Sequence, residues 1–276
     1  MTGVKVSVIV LAYNQEATVG RTLESVLSQH TDFDYEVIVG EDCSSDHTRE
    51  VCARYASLFP DKVRLMPAAP NKGIVDNYFD CLMAAEGEVV GDCAGDDYWT
   101  HNRVLQTLVD CLDRHPEATV AYGLCGSGGG SGRETVGVGR KLMAKQLNSI
   151  RMPEITLSAA VYRRGVALTA IEEDGEMVRN RAFGCEDLPL VLALLARGDA
   201  VRVDFEALCY DAHKGDTPAR VASMLGWFRQ ELAMRSLLSR HYGMKKAETV
   251  WFQLYARLRI AKYRLRSIFP RGRAGC

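Results

Sequence analysis

The 276-residue sequence lacks the features that mark several common classes of protein. Its formal net charge is −1, so the chain as a whole does not carry the positive field of a nucleic-acid-binding protein. The nine cysteines are odd in number and never form a Cys-x-x-Cys pair, which disfavours a disulfide framework and a structural zinc site. We therefore expect a protein of a reducing cytoplasm that does not bind nucleic acid.

Long apolar runs and several well-known catalytic motifs are missing too. The run 4–12 is too short to cross a bilayer, and it continues into Tyr13 and Asn14 without the small-residue cleavage site of a signal peptide. No intact GxxxxGKS/T, GxGxxG, GxSxG or HExxH motif occurs. Phosphate-loop, hydride-transfer, serine-hydrolase and zinc-protease chemistry therefore lack sequence support.

The sequence does contain enough apolar residues, 47% of the total, to form a full core. Between residues 4 and 122, short β-rich runs alternate with helical patterns, which predicts βαβ units and a mainly parallel α/β sheet. The predicted strands are 5–12, 35–40, 63–66, 88–93 and 119–122, and the predicted helices are 17–29, 46–57, 75–85 and 102–114.

A glycine-rich segment, 126–132, follows this first half of the chain. It has no side chain able to pack, which is typical of a mobile natural loop or of an engineered flexible linker. Beyond it we predict strands at 157–162 and 200–205, a helix from Asp187 to a point before Gly198, and helices at 218–241 and 246–269. We expect one main domain at 1–217 and a helical extension at 218–276.

Acidic and polar side chains follow three of the predicted strands. Asp96 and Asp97 come after strand 88–93, at the sheet edge where open α/β proteins bind ligands. Their carboxylates suit Mg²⁺ or Mn²⁺, ions that usually accompany substrate phosphates, although a solvated Gly-Asp-Asp turn is the alternative. Asp42 follows the second strand, and an ionised carboxylate there could accept a hydrogen bond from a nucleobase N–H.

Three stretches of the sequence resemble the family 2 glycosyltransferases: VSVIVLAYNQEATVGRTLESVLSQ, YEVIVGEDCSSDHTREV and GDDYW. The resemblance extends from Val4 to about His213. It implies a GT-A fold, with the catalytic domain in residues 1–217. It also implies transfer of a hexosyl or N-acetylhexosaminyl group from a nucleotide-diphosphate sugar, usually a UDP-sugar, with inversion at the anomeric carbon and help from a divalent metal.

The resemblance also implies roles for individual residues. Asp96 corresponds to the last carboxylate of the family's Asp-x-Asp metal motif, whose first position is Ala94 here, and His213 corresponds to a late metal-binding histidine. An Asp and His pair of ligands favours Mn²⁺ over Mg²⁺. The implied donor-binding residues are Ala12, Tyr13, Asn14, Glu16, Asp42 (against the uracil), Asn71, Gly73, Asp96 and Asp97.

Asp187 corresponds to the aspartate of the family's Glu-Asp motif, which acts as the general base. An acceptor hydroxyl is a poor nucleophile, and a carboxylate within hydrogen-bond reach can take its proton. The alternative is that Glu186 and Asp187 only provide a favourable negative charge at the start of the next helix.

The C-terminal segment 249–276 carries seven basic residues and no acidic one. Such a basic amphipathic helix can lie on an anionic membrane surface, here the inner face of the membrane, or it can pack on the catalytic domain. The predicted apolar stripe consists of Trp251, Leu254, Tyr255, Leu258, Ala261, Leu265, Ile268 and Phe269.

The resemblance therefore implies an inverting glycosyltransferase that extends a bacterial surface polysaccharide or a lipid-linked oligosaccharide. One alternative is a nucleotidyltransferase, which would attack phosphorus instead of carbon, but no glycine-rich basic loop follows the first strand. The other is a non-catalytic nucleotide-sugar binding module, which the loss of a carboxylate at Ala94 suggests.

Overall fold

The computed structural model describes residues 3–126, 130–149, 153–209 and 218–268, and in the last two helices it describes side chains at 224 and 226–262. The chain divides into two compact units, one from the described parts of 1–143 and 155–211, the other from those of 144–154 and 212–276.

The first unit is built on a sheet whose strands run in the order β3-β2-β1-β4-β8-β6-β9-β5, with β7 also paired to β9. The strands are β1 (Val6–Ala12), β2 (Tyr35–Glu41), β3 (Val63–Leu65), β4 (Val89–Asp92), β5 (Tyr98–Trp99), β6 (Ala118–Cys125), β7 (Glu134–Gly137), β8 (Ala160–Arg163) and β9 (Asp199–Cys209). The helices are α1 (Val19–Leu27), α2 (Thr48–Leu58), α3 (Ile74–Ala84), α4 (Val104–Arg114), α5 (Gly139–Asn148, which extends into the second unit), α6 (Arg164–Val178) and α7 (Asp187–Leu195).

The first four strands form the parallel βαβ arrangement that the sequence predicts. Strand β1 pairs in parallel with β2 and β4, and β2 pairs in parallel with β3. Helix α1 buries Val19, Leu23 and Val26, which are spaced to lie on one face, in the same core as the alternate β1 residues Val6, Val8 and Val10. Each such side chain contributes about 1.5–3 kcal/mol when it leaves water.

The rest of the sheet is mixed, so the expected parallel order holds only for the first four strands. Strand β8 is antiparallel to both β4 and β6, while β6 and β9 are parallel. The predicted strand 157–162 begins instead as a 3-10 turn, Leu157–Ala159. The reason is that Ser158 finds partners outside the sheet: its hydroxyl accepts from the Ala94 N–H and its carbonyl accepts from the Trp99 indole.

Helix α6 was not predicted, and its sequence explains why. It contains Gly165 and Gly175, buries only Ala167, Ala170 and Val178, and has non-helical angles at Asp174. The three- and four-residue apolar spacing that indicates an amphipathic helix is therefore weak. Strands β5 and β7 and helix α5 were missed as well, the two strands because they span only two and four residues.

The second unit contains helices α8 (Pro218–His241) and α9 (Lys246–Ile268), as the sequence predicts. They pack through a small core of Phe228, Phe252 and Ala256, with Tyr255 against Phe228. Among the described residues, no helix has both the length and the apolar content needed to span a bilayer. Phe269, the last residue of the predicted stripe, lies outside the described residues.

Candidate active site

A cavity of about 420 Å³ opens at the carboxyl ends of the parallel strands β1, β2 and β4. This edge of the sheet is where α/β proteins place their ligands, because loops diverge there from adjacent strands. The cavity brings together Ala12, Tyr13, Asp42, Asn71, Gly73, Asp96 and Asp187 of the predicted site. Asn14, Glu16 and Asp97 do not line it.

Asp42 fixes one wall of the cavity. Its two carboxylate oxygens accept hydrogen bonds from the backbone N–H groups of Lys72 and Gly73, both at 2.9 Å, and its carbonyl accepts one from the Asn71 amide at 2.8 Å. Gly73 has φ = +83°, a backbone conformation that favours glycine. Since an ionised carboxylate offers about four lone-pair sites, Asp42 retains capacity to accept from a ligand.

Asn14 and Glu16 join the loop after β1 to the loop after β2. The Asn14 carboxamide oxygen accepts from the Ser45 N–H at 2.8 Å, and the Glu16 carboxylate accepts from the His47 N–H at 2.9 Å. Asn14 itself has φ = +53°, where asparagine is tolerated better than most residues. These two side chains therefore support the cavity wall from outside, while Tyr13, half exposed, lines it.

Hydrogen bonds to backbone carbonyl groups clamp the loop that carries Asp96 against β1 and α1. The Gly95 N–H donates to the Leu11 carbonyl at 2.9 Å, and the Thr18 hydroxyl donates to the Gly95 carbonyl at 2.8 Å. The buried Thr22 hydroxyl donates to the Asp97 carbonyl at 2.6 Å. A Cβ at Gly95 would lie 2.4 Å from the Gln15 carboxamide oxygen and 2.7 Å from the Leu11 carbonyl oxygen. Only glycine fits between this loop and β1.

Asp96 and Asp97 offer a fitting pair of hard oxygen ligands for a divalent cation. Asp96 lines the cavity, whereas Asp97 is buried, and its Oδ1 atom has no hydrogen-bond partner within the part of the chain that the structure describes. Burial, together with the charge of Asp96, raises the pKa of Asp97 to about 7. A nearby cation would satisfy the orphaned oxygen and counter this rise. His213, the other predicted ligand, lies outside the described residues.

Among the described residues, Cys111, His115 and Glu134 also place possible metal-ligand atoms within 4.8 Å of one another. Two of them, His115 and Glu134, belong to an ion-pair network. The two ring nitrogens of His115 face the carboxylates of Glu117 and Glu134 at 3.1 and 3.0 Å, and Glu134 also pairs with Arg114. These contacts explain why the three side chains lie together without a metal.

Three carboxyl groups meet at the inner end of the cavity. Asp187, at the first turn of α7, lines the cavity together with Glu186 and Asp92. Burial raises the pKa of Asp187, and the neighbouring Glu186 offsets part of that rise. Burial and then the charge of Asp187 raise the pKa of Glu186 well above its ordinary value. Burial thus makes the carboxylates of Asp187 and Glu186 stronger bases.

Sequence reasoning missed Asp92. The signal was present, because a carboxylate ends the apolar run Val89-Val90-Gly91 of a strand that is buried throughout. Nothing in the residue types alone says that this strand end faces the cavity. The antiparallel insertion of β8, which brings Tyr162 opposite Val90, encloses Asp92 and could not be read from the sequence.

Residues 7–168 match the family model described as glycosyl transferase family 2. The chain belongs to this family. The match includes Asp42, Asp96 and the loop clamped by Gly95, and it ends before Asp187.

Relatives in sequence match less than half of the chain. The protein Rv1520 of Mycobacterium tuberculosis is 40% identical over 116 residues, which are 42% of this chain and 34% of the relative. The poly(ribitol-phosphate) β-N-acetylglucosaminyltransferase TarS of Staphylococcus aureus is 34% identical over 115 residues, 40% of this chain and 19% of TarS. The chain thus matches about a third or less of the length of these relatives.

Solved structures extend the likeness to the whole fold. S. aureus TarS 1–349 in complex with UDP-GlcNAc gives a TM-score of 0.59 at 18% identity, covering 98% of this chain and 74% of that one. The mannosyltransferase PcManGT from Pyrobaculum calidifontis, in complex with GDP-Man and Mn²⁺, gives 0.61 at 18% identity, covering 100% and 77%. The predicted GT-A fold is confirmed.

Gly95→Ala should destabilise the protein by about 1–3 kcal/mol, because the added methyl group must push the Asp96 loop away from β1. Chemical denaturation measures the free energy of unfolding. Gly165→Ala is the matched control: its Cβ would meet no described atom within 4 Å, and it lies in helix α6, where alanine is the better helix former. Equal stability of the two variants would show that the clamp is looser than the contacts indicate.

Proposed function

We propose that the chain is an inverting, metal-dependent glycosyltransferase that uses a nucleotide-diphosphate sugar, a UDP-sugar in the first instance. The acceptor is a hydroxyl of a saccharide or of a lipid-linked oligosaccharide in surface polysaccharide synthesis. One observation carries the proposal: Asp42, Asp96 and Asp187, which come from three separate parts of the chain, line a single cavity. The UDP-GlcNAc bound to TarS and the GDP-Man bound to PcManGT support a donor of this class.

The nucleoside of the donor lies against the ends of β1 and β2 in this proposal. Asp42 accepts a hydrogen bond from the base, and its bonds to Lys72 and Gly73 hold the carboxylate in place for it. Ala12, Tyr13 and Asn71 form the surrounding wall. Asn14 and Glu16 act on the donor through the loops that they connect.

Asp96, with Asp97 and His213, would hold Mn²⁺ or Mg²⁺. Mn²⁺ is the ion present with GDP-Man in the PcManGT structure, and carboxylate ligands suit either metal. When bound, the cation would supply charge neutralisation for the departing nucleoside diphosphate.

Asp187 acts as the general base. It takes the proton of the acceptor hydroxyl as that oxygen bonds to the anomeric carbon and the bond from this carbon to the diphosphate oxygen breaks. Attack from the side opposite the leaving group inverts the anomeric centre. Because burial raises the pKa of Asp187, its carboxylate is a better base than an exposed aspartate.

A donor panel tests the proposal. Purified protein with Mn²⁺ should hydrolyse one nucleotide sugar slowly in the absence of acceptor, and we would assay UDP-N-acetylglucosamine, UDP-glucose, UDP-galactose and GDP-mannose by release of the nucleoside diphosphate. Excess chelator should stop the release, and added Mn²⁺ should restore it. Tight binding without any turnover would favour the binding-module alternative, and full activity in chelator would remove the metal from the mechanism.

Asp187→Asn should lower the rate of transfer by about 10²–10⁴-fold while leaving affinity for UDP nearly unchanged, because the amide keeps the shape but cannot accept the proton. In the wild type, the acid limb of kcat/KM should lie above pH 3.8, the ordinary pKa of aspartate, because burial raises the pKa of Asp187. The control is Asp113→Asn, because Asp113 is a half-exposed ion-pair partner of Lys5 and does not line the cavity. A loss below about tenfold, or an equal loss of UDP affinity, contradicts the role.

Helix α9 offers a surface for an anionic membrane. Trp251, Leu254 and Leu258 recur at helical spacing and are exposed, 68% in the case of Trp251 and 70% in that of Leu258, with the exposed Arg257 between them. Tyr255, predicted to belong to the stripe, instead packs against Phe228. Apolar side chains beside cations match the headgroup region of an anionic bilayer, so we propose that this face attaches the enzyme to the membrane near its acceptor.

The double variant Trp251→Ser/Leu258→Ser should bind vesicles containing phosphatidylglycerol at least tenfold more weakly, because it loses two large apolar groups from the contact. Sedimentation with vesicles measures this, and wild-type binding should fall with added salt, which screens charges over about 8 Å at physiological ionic strength. Leu58→Ser removes an equally exposed leucine of α2 as control. Unchanged binding by the double variant would rule out this face.

A further inference from the structure

One buried acidic side chain in the cavity has no part in the reaction described so far. Asp92 ends β4, lines the cavity and is only 5% exposed. Neither of its carboxyl oxygens has a hydrogen-bond partner among the described residues. A buried polar group without a partner destabilises the folded protein, so a ligand that supplies the missing hydrogen bonds would be favoured at this point.

The tyrosine hydroxyl groups near Asp92 meet this need only in part. The hydroxyl groups of Tyr78 and Tyr162 are bonded to each other at 2.6 Å. Burial and the charge of Asp187 raise the pKa of Asp92 well above its ordinary value, and Tyr78 offsets only part of the rise. The neutral carboxyl group is therefore favoured, and it offers one hydrogen-bond donor and an acceptor. A sugar hydroxyl also has a donor and an acceptor, so the two groups can exchange hydrogen bonds.

The place of Asp92 in the sheet indicates which part of a donor it meets. Strand β1 lies between β2 and β4, so the ends of β2 and β4 are two strand spacings, or about 10 Å, apart. Asp42 marks the end of β2, where the proposed function places the nucleoside. Asp92 marks the end of β4, close enough to Asp187 to feel its charge. The base must lie within reach of the reacting hydroxyl, so Asp92 lies on the side of the cavity where the sugar is transferred.

We propose that Asp92 binds a hydroxyl group of the sugar carried by the nucleotide donor, donating one hydrogen bond to it and accepting one from it. The inference rests on the proposed function and deepens it, because it assigns a residue to the sugar as distinct from the nucleotide. The group belongs to the chain's own strand β4 and already lines the cavity.

Two variants separate this role from a structural one. Asp92→Leu keeps the branched shape of the side chain, and the cavity that Asp92 lines has room for the two larger methyl groups. It removes both the donor and the acceptor, whereas Asp92→Asn keeps one of each, as the neutral carboxyl does. Asp92→Leu should unfold at the same temperature as the wild type or higher, because it replaces an unsatisfied buried carboxyl group with an apolar one. A loss of binding in this variant then cannot come from loss of the fold.

Titration calorimetry in the presence of Mn²⁺ would compare each protein with UDP alone and with the nucleotide sugar selected by the donor panel. Asp92→Leu should bind the nucleotide sugar about tenfold more weakly and UDP as tightly as the wild type does, as expected for the loss of a hydrogen bond to the sugar alone. Asp92→Asn should stay within about threefold of the wild type for both ligands.

Unchanged affinity of Asp92→Leu for the nucleotide sugar overturns the inference and leaves the proposed function intact. So does a parallel loss of UDP affinity, which would make Asp92 a general support of the cavity. If Asp92→Asn binds the nucleotide sugar as weakly as Asp92→Leu does, a charged carboxylate is required at this position. That result would overturn the proposed pair of hydrogen bonds between a neutral carboxyl group and the sugar hydroxyl. If the wild type binds no nucleotide sugar of the panel, the proposed function fails and this inference fails with it.

Discussion

The hydrogen bond from the Gly95 N–H to the Leu11 carbonyl is the contact on which the site depends. It joins the loop that carries Asp96 directly to β1, the strand that also leads into Ala12 and Tyr13. Because a side chain at position 95 would collide with Gln15 and with the β1 backbone, the loop can approach so closely only through glycine. The proposed metal end and the proposed nucleoside end of the cavity are therefore held by one strand, and they cannot move independently.

Around that clamp, carboxyl groups in and beside the cavity are poorly satisfied without a ligand. Asp97, Asp92 and Glu186 each have at least one buried oxygen with no hydrogen-bond partner in the described part of the chain, and burial raises the pKa of all three. Such groups lower the stability of the free protein. A cation at Asp96 and Asp97, or a sugar hydroxyl at Asp92, would recover part of this lost stability. The carboxyl groups that folding leaves unsatisfied would therefore favour binding of the cation and of the sugar.

Much of the architecture could be predicted because local pattern and tertiary structure agree there. Strands β1 and β2 are continuous apolar runs, and α1 repeats its apolar residues at helical spacing, so their bounds differ from the predicted ones by one or two residues. Asp42, Asp96 and Asp187 were found because each follows a strand or starts a helix within a family motif, and the structure brings them together. Their chemical roles remain proposals. The sequence could not show that Asn14 and Glu16 connect two loops, or that Asp92 faces the cavity, because those facts depend on neighbours that are distant in the chain.

The place of β8 in the sheet also determines when β4 can complete its pairing during synthesis. This strand lies between β4 and β6, yet it follows both of them in the chain. While a ribosome makes the protein, β4 therefore has an open edge on one side from residue 92 until Ala160–Arg163 emerges. An unpaired strand edge can pair with other chains, so the growing polypeptide exposes such an edge for longer than a chain whose strands pair in sequence order would. The wall that encloses Asp92 is thus one of the last parts of the sheet to close.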